Sequence, residues 1–364
     1  MAEVYFAPSR VRNFRKWWVP EGSLLAKMER AFFRAGLEGI VERGSRVGLK
    51  LHMGEPGNTH SLRPIYATRA VDIIKGLGGI PSLVETSGLG WTSNRTSAER
   101  HLEAARRNGF VLETVGAPVR MMDGEEGLDS IDVRGIPVAR GLKELDAMLV
   151  LSHATGHVQA GFGGAIKNLA LGCVAKGGKF RVHYRGKPAI DQMRCTGCGE
   201  CAETCPMGAI SKDYIIDETR CALCNVCLDV CKPRAVRAEP TNQREVAERV
   251  AENAAAVVET LGKNHIGYIN LMIDITPHCD CHPSSDIPIV PDIGVLASRD
   301  PVAIDRCSID MINVSPAVPT SEAEGFSPWE DKIQEINPKT HWKLQLDEAE
   351  ALGLGSQDYT VRGV

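Results

Sequence analysis

Eight cysteines crowded between Cys195 and Cys231 constrain this chain more than any other feature. They fall into two runs, Cys195-x2-Cys198-x2-Cys201-x3-Cys205 followed by Pro206, and Cys221-x2-Cys224-x2-Cys227-x3-Cys231. Three thiolates spaced in this way can wrap three irons of one cube, while the fourth, after a longer gap, crosses to a second cube. All 12 cysteines of the chain lie between Cys173 and Cys307, a clustering that a disulfide framework would not produce. Zinc ribbons also use Cys-x2-Cys pairs, but eight cysteines in a duplicated pattern greatly exceed what a zinc ribbon needs.

Both runs resemble bacterial two-cluster ferredoxins. The resemblance implies that Cys195, Cys198, Cys201 and Cys231 hold one 4Fe-4S cluster, and that Cys221, Cys224, Cys227 and Cys205 hold the other. The second run departs from the pattern, because Lys232 separates Cys231 from Pro233; its charge shifts one cluster's potential without abolishing binding. Clusters can be structural, but two cubes joined by crossed ligands suit electron relay.

The remainder of the 364 residues reads as an α/β chain. Val47–His52, Ser82–Thr86, Ala147–Ser152 and Tyr268–Ile273 are short apolar runs of the kind that form buried strands. Ser23–Leu37, Ile65–Leu77, Ser97–Asn108 and Glu245–Leu261 carry apolar residues at helical spacing. Thr241 or Asn242 is a suitable N-cap for the last of these. The pattern predicts a Rossmann-like, largely parallel sheet with helices on both faces. Because it resumes after the cysteines, residues 187–238 are expected to be a small ferredoxin-like insert between an α/β first part (1–186) and second part (239–364). A weak helix is expected at Leu346–Leu352. Cys173 and Cys307, in apolar helical surroundings, are expected in the core.

Open α/β sheets bind ligands beyond the carboxyl ends of their strands, so the loops that follow the strands are where chemistry is sought. The first reads His52-Met53-Gly54-Glu55 and continues to Arg63; these side chains can bind an anion or move a proton, or simply form a solvated turn. The second, Glu85-Thr86-Ser87-Gly88, leads towards Arg95 and His101 and reads more simply as a capped loop. The third runs from Ser152 through His153 and His157 to Gly161-Phe162-Gly163-Gly164-Ala165-Ile166-Lys167-Asn168. A helix starting near Ala165 is expected to aim free N–H groups at an anion, with Lys167 beside it. Neither the dinucleotide fingerprint nor the phosphate loop is matched. The fourth loop reads Asp274-Ile275-Thr276-Pro277-His278-Cys279-Asp280-Cys281-His282. Its residues can bind an additional metal or cluster through His278, Cys279, Cys281 and His282, form a redox-active thiol pair, place one thiolate near a substrate, or be buried thiols with capping histidines.

Several segments together resemble the ferredoxin-containing form of the family named domain of unknown function 362. They are Lys50-Leu51-His52-Met53-Gly54-Glu55 with Gly57-Asn58, the Gly161–Asn168 segment, Ile273–Cys281, Pro291-Asp292-Ile293-Gly294 and Ser298–Asp305. The resemblance covers nearly the whole chain and implies iron–sulfur binding without naming a substrate. A more distant fold similarity is to nickel-dependent lactate racemases, which implies a small anionic substrate and keeps an additional metal in view.

The formal net charge is −4, from 42 Lys plus Arg and 46 Asp plus Glu, with no long basic run. That excludes a strong electrostatic footprint for nucleic acid or a membrane surface. The opening residues lack the apolar core of a leader peptide, and no stretch reaches the length of a membrane span, so a cytoplasmic protein is expected. The leading reading is an iron–sulfur oxidoreductase. An external one-electron donor or acceptor protein exchanges electrons with the clusters, which pass them to a small anionic molecule in the α/β cleft. His52, Glu55, His153, His157, Lys167 and Asn168 are the catalytic candidates; Arg63, Gly161, Gly163, Gly164 and Lys167 are the substrate-binding ones. The alternatives are an electron-transfer subunit for a partner enzyme, and a binding or maturation protein with structural clusters.

Overall fold

A computed structural model describes residues 1–11 and 19–364, so the opening stretch read above for a leader peptide lies partly outside the described residues. The strands of the first half are β1 (Ala2–Pro8), β2 (Arg46–Lys50), β3 (Ile80–Glu85), β4 (Val119–Met121), β5 (Ser130–Val133), β6 (Ile136–Ala139) and β7 (Ala147–His153). Those of the second are β8 (Thr155–His157), β9 (Gly161–Gly163), β10 (Tyr184–Ile190), β11 (Val236–Pro240), β12 (Ile266–Met272), β13 (Gly294–Ser298) and β14 (Tyr359–Gly363). Eight of them form one sheet in the order β14-β1-β13-β12-β7-β2-β3-β4. β13 pairs antiparallel with both neighbours, and the other pairings of this sheet are parallel.

The central strands are apolar throughout because both of their faces are covered. Along β7, Met148 and Val150 enter one apolar cluster, while Ala147, Leu149 and Leu151 enter the other. Helices Leu24–Arg34 and Pro64–Gly76 close the second face with Met28, Phe32, Ala67, Val71 and Ile74. Helices Ala165–Gly172, Gln243–Leu261 and Pro301–Val314 close the first with Ile166, Leu169, Val250, Val257, Val302 and Ile304. Leu149 is fully buried, and Leu149→Ala should cost about 2–5 kcal/mol through lost transfer energy and the cavity left behind.

The expected α/β architecture is present, with boundaries shifted by a few residues. The helix predicted at Glu245–Leu261 begins at Gln243, where Asn242 forms a reciprocal capping box with Glu245. Cys173 and Cys307 are buried in the core. Four strands of this sheet were not foreseen: β4 at one edge, and β1, β13 and β14 on the far side of β12; β14 comes from the C-terminal stretch for which only a weak helix was expected, and that helix is Trp342–Ala351.

β3 lies on one side of β2 and β7 on the other, so the direction of chain progression reverses between β2 and β7. A crevice therefore opens beyond their carboxyl ends. Further along, β10 and β11 pair antiparallel from Tyr184↔Pro240 to Ile190↔Val236. The chain thus leaves for the cysteine-rich stretch and returns at adjacent points.

Candidate functional site

A cavity of about 410 Å³ occupies the crevice. Lys50 closes β2, Glu85 closes β3, Ser152 and His153 end β7, and Cys279 to His282 follow β12; all of them line the cavity. Lys167, Asn168, Leu171 and Gly172 reach it from the helix Ala165–Gly172, and Lys179 and His183 from the helix Lys176–His183.

Beneath this surface lies a polar lattice in which most charges are paired. Lys50 Nζ donates to Glu85 Oε2 at 2.9 Å and to Asn168 Oδ1 at 2.6 Å, with both charged side chains almost fully buried. Asn168 Nδ2 donates in turn to Ser152 Oγ and the Leu151 carbonyl. Arg95 Nε donates to Glu55 Oε2 at 2.6 Å, and Asn94 Nδ2 donates to Glu55 Oε1. Burial opposes the Glu55 charge, yet these donors hold its carboxyl below the usual range. Lys179 Nζ meets only neutral acceptors, Thr86 Oγ1 and the Val174 carbonyl, and burial lowers its pKa to about 8.

The histidines divide by their partners. His153 donates from Nε2 to the Ile273 carbonyl at 2.7 Å and pairs through Nδ1 with Asp280 at 2.8 Å. Burial pulls its pKa down, but Asp280 outweighs that and raises it, and both ring nitrogens face oxygen acceptors. His52 accepts from the Gly54 N–H at Nδ1, and Arg95 lies 3.0 Å from Nε2; burial and that guanidinium keep the ring neutral. His157 accepts at Nδ1 from the Gln159 and Ala160 N–H groups, which leaves its proton on Nε2, free to donate to the Cys279 sulfur. Lys167 Nζ lies 3.1 Å from Cys279 Sγ. One donor atom from each of His157, Cys279 and Cys281 falls within 4.8 Å of the others.

The structure gathers His52, His153, His157, Gly163, Gly164, Lys167, Asn168, Cys279, Cys281 and His282 at one cavity. It does not bring in Glu55, Arg63, Gly161 or His278. Glu55 is tied to Arg95 behind the wall. Arg63 pairs with Asp274 in solvent and lies over the Tyr66 ring. Gly161 packs towards Thr340 and Trp342, and His278 faces Glu322 at 3.8 Å. The expectation that the helix at Ala165 presents free N–H groups to an anion is corrected: the buried Asp305 carboxylate accepts from Ala165 N at 2.7 Å and Ile166 N at 2.9 Å. A Cβ on Gly164 would lie 2.2 Å from Asp305 Oδ1, so glycine there admits the cap rather than a ligand.

Sequence reasoning passed over Lys50, Lys179, His183, Asp280 and Asp305, and it read the Glu85 loop as an ordinary one. The usable signal was an ionisable residue ending an apolar strand, as Lys50 and Glu85 do. Burial there requires a partner, and each provides it for the other.

The eight clustered cysteines line two small cavities. Cys195, Cys198, Cys201 and Cys231 surround one, with Ile190, Tyr214 and Pro233. Cys205, Cys221, Cys224 and Cys227 surround the other, with Pro188, Ile210 and Ile216. Among the described residues, no cysteine is in a disulfide. Ala209 N donates to Cys205 Sγ at 3.3 Å and Ala235 N to Cys231 Sγ at 3.2 Å, an arrangement that favours negative charge on those sulfurs. The second cavity adjoins the crevice: Gly90 N donates to the Cys224 carbonyl at 3.0 Å, and the preceding Leu89 lines the large cavity. Gly90 has φ +77°, and a Cβ there would lie 2.1 Å from Asp229 Oδ2. Only glycine permits so close an approach.

These features define an α/β protein with a polar cleft at its topological switch point and a cysteine-rich segment beside it. The chain belongs to the family described as Domain of unknown function (DUF362), whose match spans residues 47–310. No curated protein matches it. Among solved structures it is similar to the lactate racemase apoprotein from Thermoanaerobacterium thermosaccharolyticum, at 10% identity and TM-score 0.36, covering 75% of this chain and 51% of that one. It is also similar to a protein from Thermotoga maritima, at 10% identity and TM-score 0.34, covering 68% of this chain and 50% of that one. The chain thus spans about half the length of these structures. Among the described residues, no helix is long and apolar enough to cross a membrane.

Proposed function

We propose that this protein is an iron–sulfur oxidoreductase that holds two 4Fe-4S clusters in a ferredoxin-like insert and delivers electrons to a small anionic molecule in the cleft. The observation that carries the reading is the sorting of the cysteines, in which each small cavity takes three from one run and the last from the other. Eight cysteines in a duplicated pattern exceed what a zinc ribbon needs, which supports iron over zinc. Such clusters, when bound, supply one-electron transfer.

The chain's own residues account for the rest. Gly90 and Leu89 join the Cys224 side of the insert to the cleft wall, and Cys198, the exposed cysteine of the other foursome, faces the solvent from which an external donor approaches. Lys167 and Lys179 bring positive charge to the cavity and, among the described residues, neither is in an ion pair with a carboxylate, which favours a carboxylate or phosphate ligand. Asn168 holds Lys50 and Ser152 in place rather than touching the ligand's reacting atoms.

The test is anaerobic purification followed by iron and sulfide analysis and electron paramagnetic resonance after dithionite reduction. About eight irons and eight sulfides per chain, with two reducible centres, are expected. Zinc in place of iron, or iron that cannot be reduced, overturns the reading.

A further inference from the structure

We propose that Cys279 and Cys281 form a redox-active thiol pair, with Cys281 as the attacking sulfur, that exchanges with a small anionic disulfide entering the cleft. The inference goes beyond the electron-transfer reading and does not depend on the clusters.

The pair lines a cavity large enough for a small organic molecule. Cys279 is buried, whereas Cys281 is partly open. The Cys281 backbone N–H donates to Cys279 Sγ at 3.4 Å, a turn that folds the two side chains towards each other. Their sulfurs lie within 4.8 Å. The surroundings stabilise one negative charge on the pair: Lys167 Nζ at 3.1 Å from Cys279 Sγ, the Nε2 proton of His157, and the Arg95 guanidinium, which donates to the Cys281 carbonyl at 3.1 Å. Asp280, the acidic neighbour, is paired with His153.

Exposure decides which sulfur meets the ligand first. Cys279 is buried and is the sulfur that Lys167 and the Cys281 N–H approach, whereas Cys281 is partly open and lines the cavity. The negative charge those donors stabilise is shared across the pair, and the thiolate on the accessible sulfur is the attacking group.

The same trio has distances that suit a metal, but its chemistry does not. A metal-bound imidazole donates its second N–H to an oxygen acceptor, whereas His157 spends its Nδ1 lone pair on two backbone N–H groups and keeps the proton on the nitrogen nearest the sulfurs. The Lys167 ammonium, moreover, stands where it would repel a cation.

In the exchange, the Cys281 thiolate attacks one sulfur of the incoming disulfide. That S–S bond breaks, a mixed disulfide forms on Cys281, and the first product leaves as a thiolate. Cys279 then loses its proton to water and attacks Cys281 Sγ. The mixed disulfide breaks, a second thiolate leaves, and an internal Cys279–Cys281 disulfide remains. The ligand gains two electrons, and the protein pair loses them.

The test uses the anaerobic full-length protein and 5,5′-dithiobis(2-nitrobenzoate), a dianionic disulfide, with peptide mass analysis of the segment that carries both cysteines. The wild type should release two thiolates for this segment, retain no probe and end with the internal disulfide. Cys279→Ser should release one and keep the probe on Cys281. Cys281→Ser should react at least about a hundredfold more slowly, because its remaining thiol is buried. Lys167→Met should slow the wild-type reaction about tenfold at neutral pH, with recovery at alkaline pH as thiolate is restored. Retention of a probe on each cysteine independently overturns the proposal, as does protection of both by a stoichiometric non-iron metal.

Discussion

Replacing Lys50 with methionine tests the buried lattice most directly. The Lys50 and Glu85 side chains are 1% and 4% exposed, and their charges are 2.9 Å apart. Lys50→Met leaves the Glu85 carboxylate with the Thr86 N–H as its remaining donor and strips Asn168 Oδ1 of its partner at 2.6 Å. An uncompensated buried charge costs about 3–5 kcal/mol. The unmet amide oxygen adds about 1 kcal/mol. Against a typical total of about 5–15 kcal/mol, the variant should sit near the unfolding threshold. The double variant Lys50→Met, Glu85→Gln removes the stranded charge and should recover all but about 2 kcal/mol of the loss. Urea titration by far-ultraviolet circular dichroism, under anaerobic conditions and at matched iron content, measures both. A single variant within about 1 kcal/mol of wild type, or a double variant as unstable as the single, refutes the argument that this pair is mutually required.

Three further outcomes follow from the geometry. Burial lowers the folded pKa of Lys179 to about 8, below the ordinary lysine value of about 10.4, so the unfolded chain binds more protons between those values and stability should rise with pH across that window; Lys179→Met should abolish the rise in thermal unfolding scans. Cys231→Ser and Cys195→Ser should each remove about half of the iron and leave the same spectroscopic signal behind, because both line one cavity; two different residual signals would sink the crossed arrangement. Arg63→Ala breaks a solvent-exposed pair outside the cleft, so it should change stability by less than about 1 kcal/mol and leave the cleft thiols' reactivity towards 5,5′-dithiobis(2-nitrobenzoate) unaltered.

Local pattern accounts for what could be read in advance. The strands that line the crevice are short apolar runs, and the helices around them repeat every three to four residues, because burial of one stripe or of both faces imposes those periods. A cap at Thr241 or Asn242 was legible from residue type alone, and the structure selects Asn242, three residues before its partner Glu245. The cysteine runs were legible because their information lies in spacing.

Which distant residues meet is not written in any local period. Asp305 caps a helix that begins 140 positions earlier, Lys50 reaches Asn168 across 118, and β1 pairs with β14 from opposite ends of the chain. Strand order decided these contacts. With the chain reversing direction between β2 and β7, the loops after β2, β3, β7 and β12 converge, and charges that look solvated in sequence become buried and must find partners. The same convergence separated His278 from the cysteines it neighbours in sequence and put His157, from another loop, in its place. The sequence by itself determined the donor types, the periodicities and the duplicated cysteines. Tertiary structure alone decided which donors share a cavity, because side chains more than a few residues apart are brought within bonding distance only by the packing of the sheet.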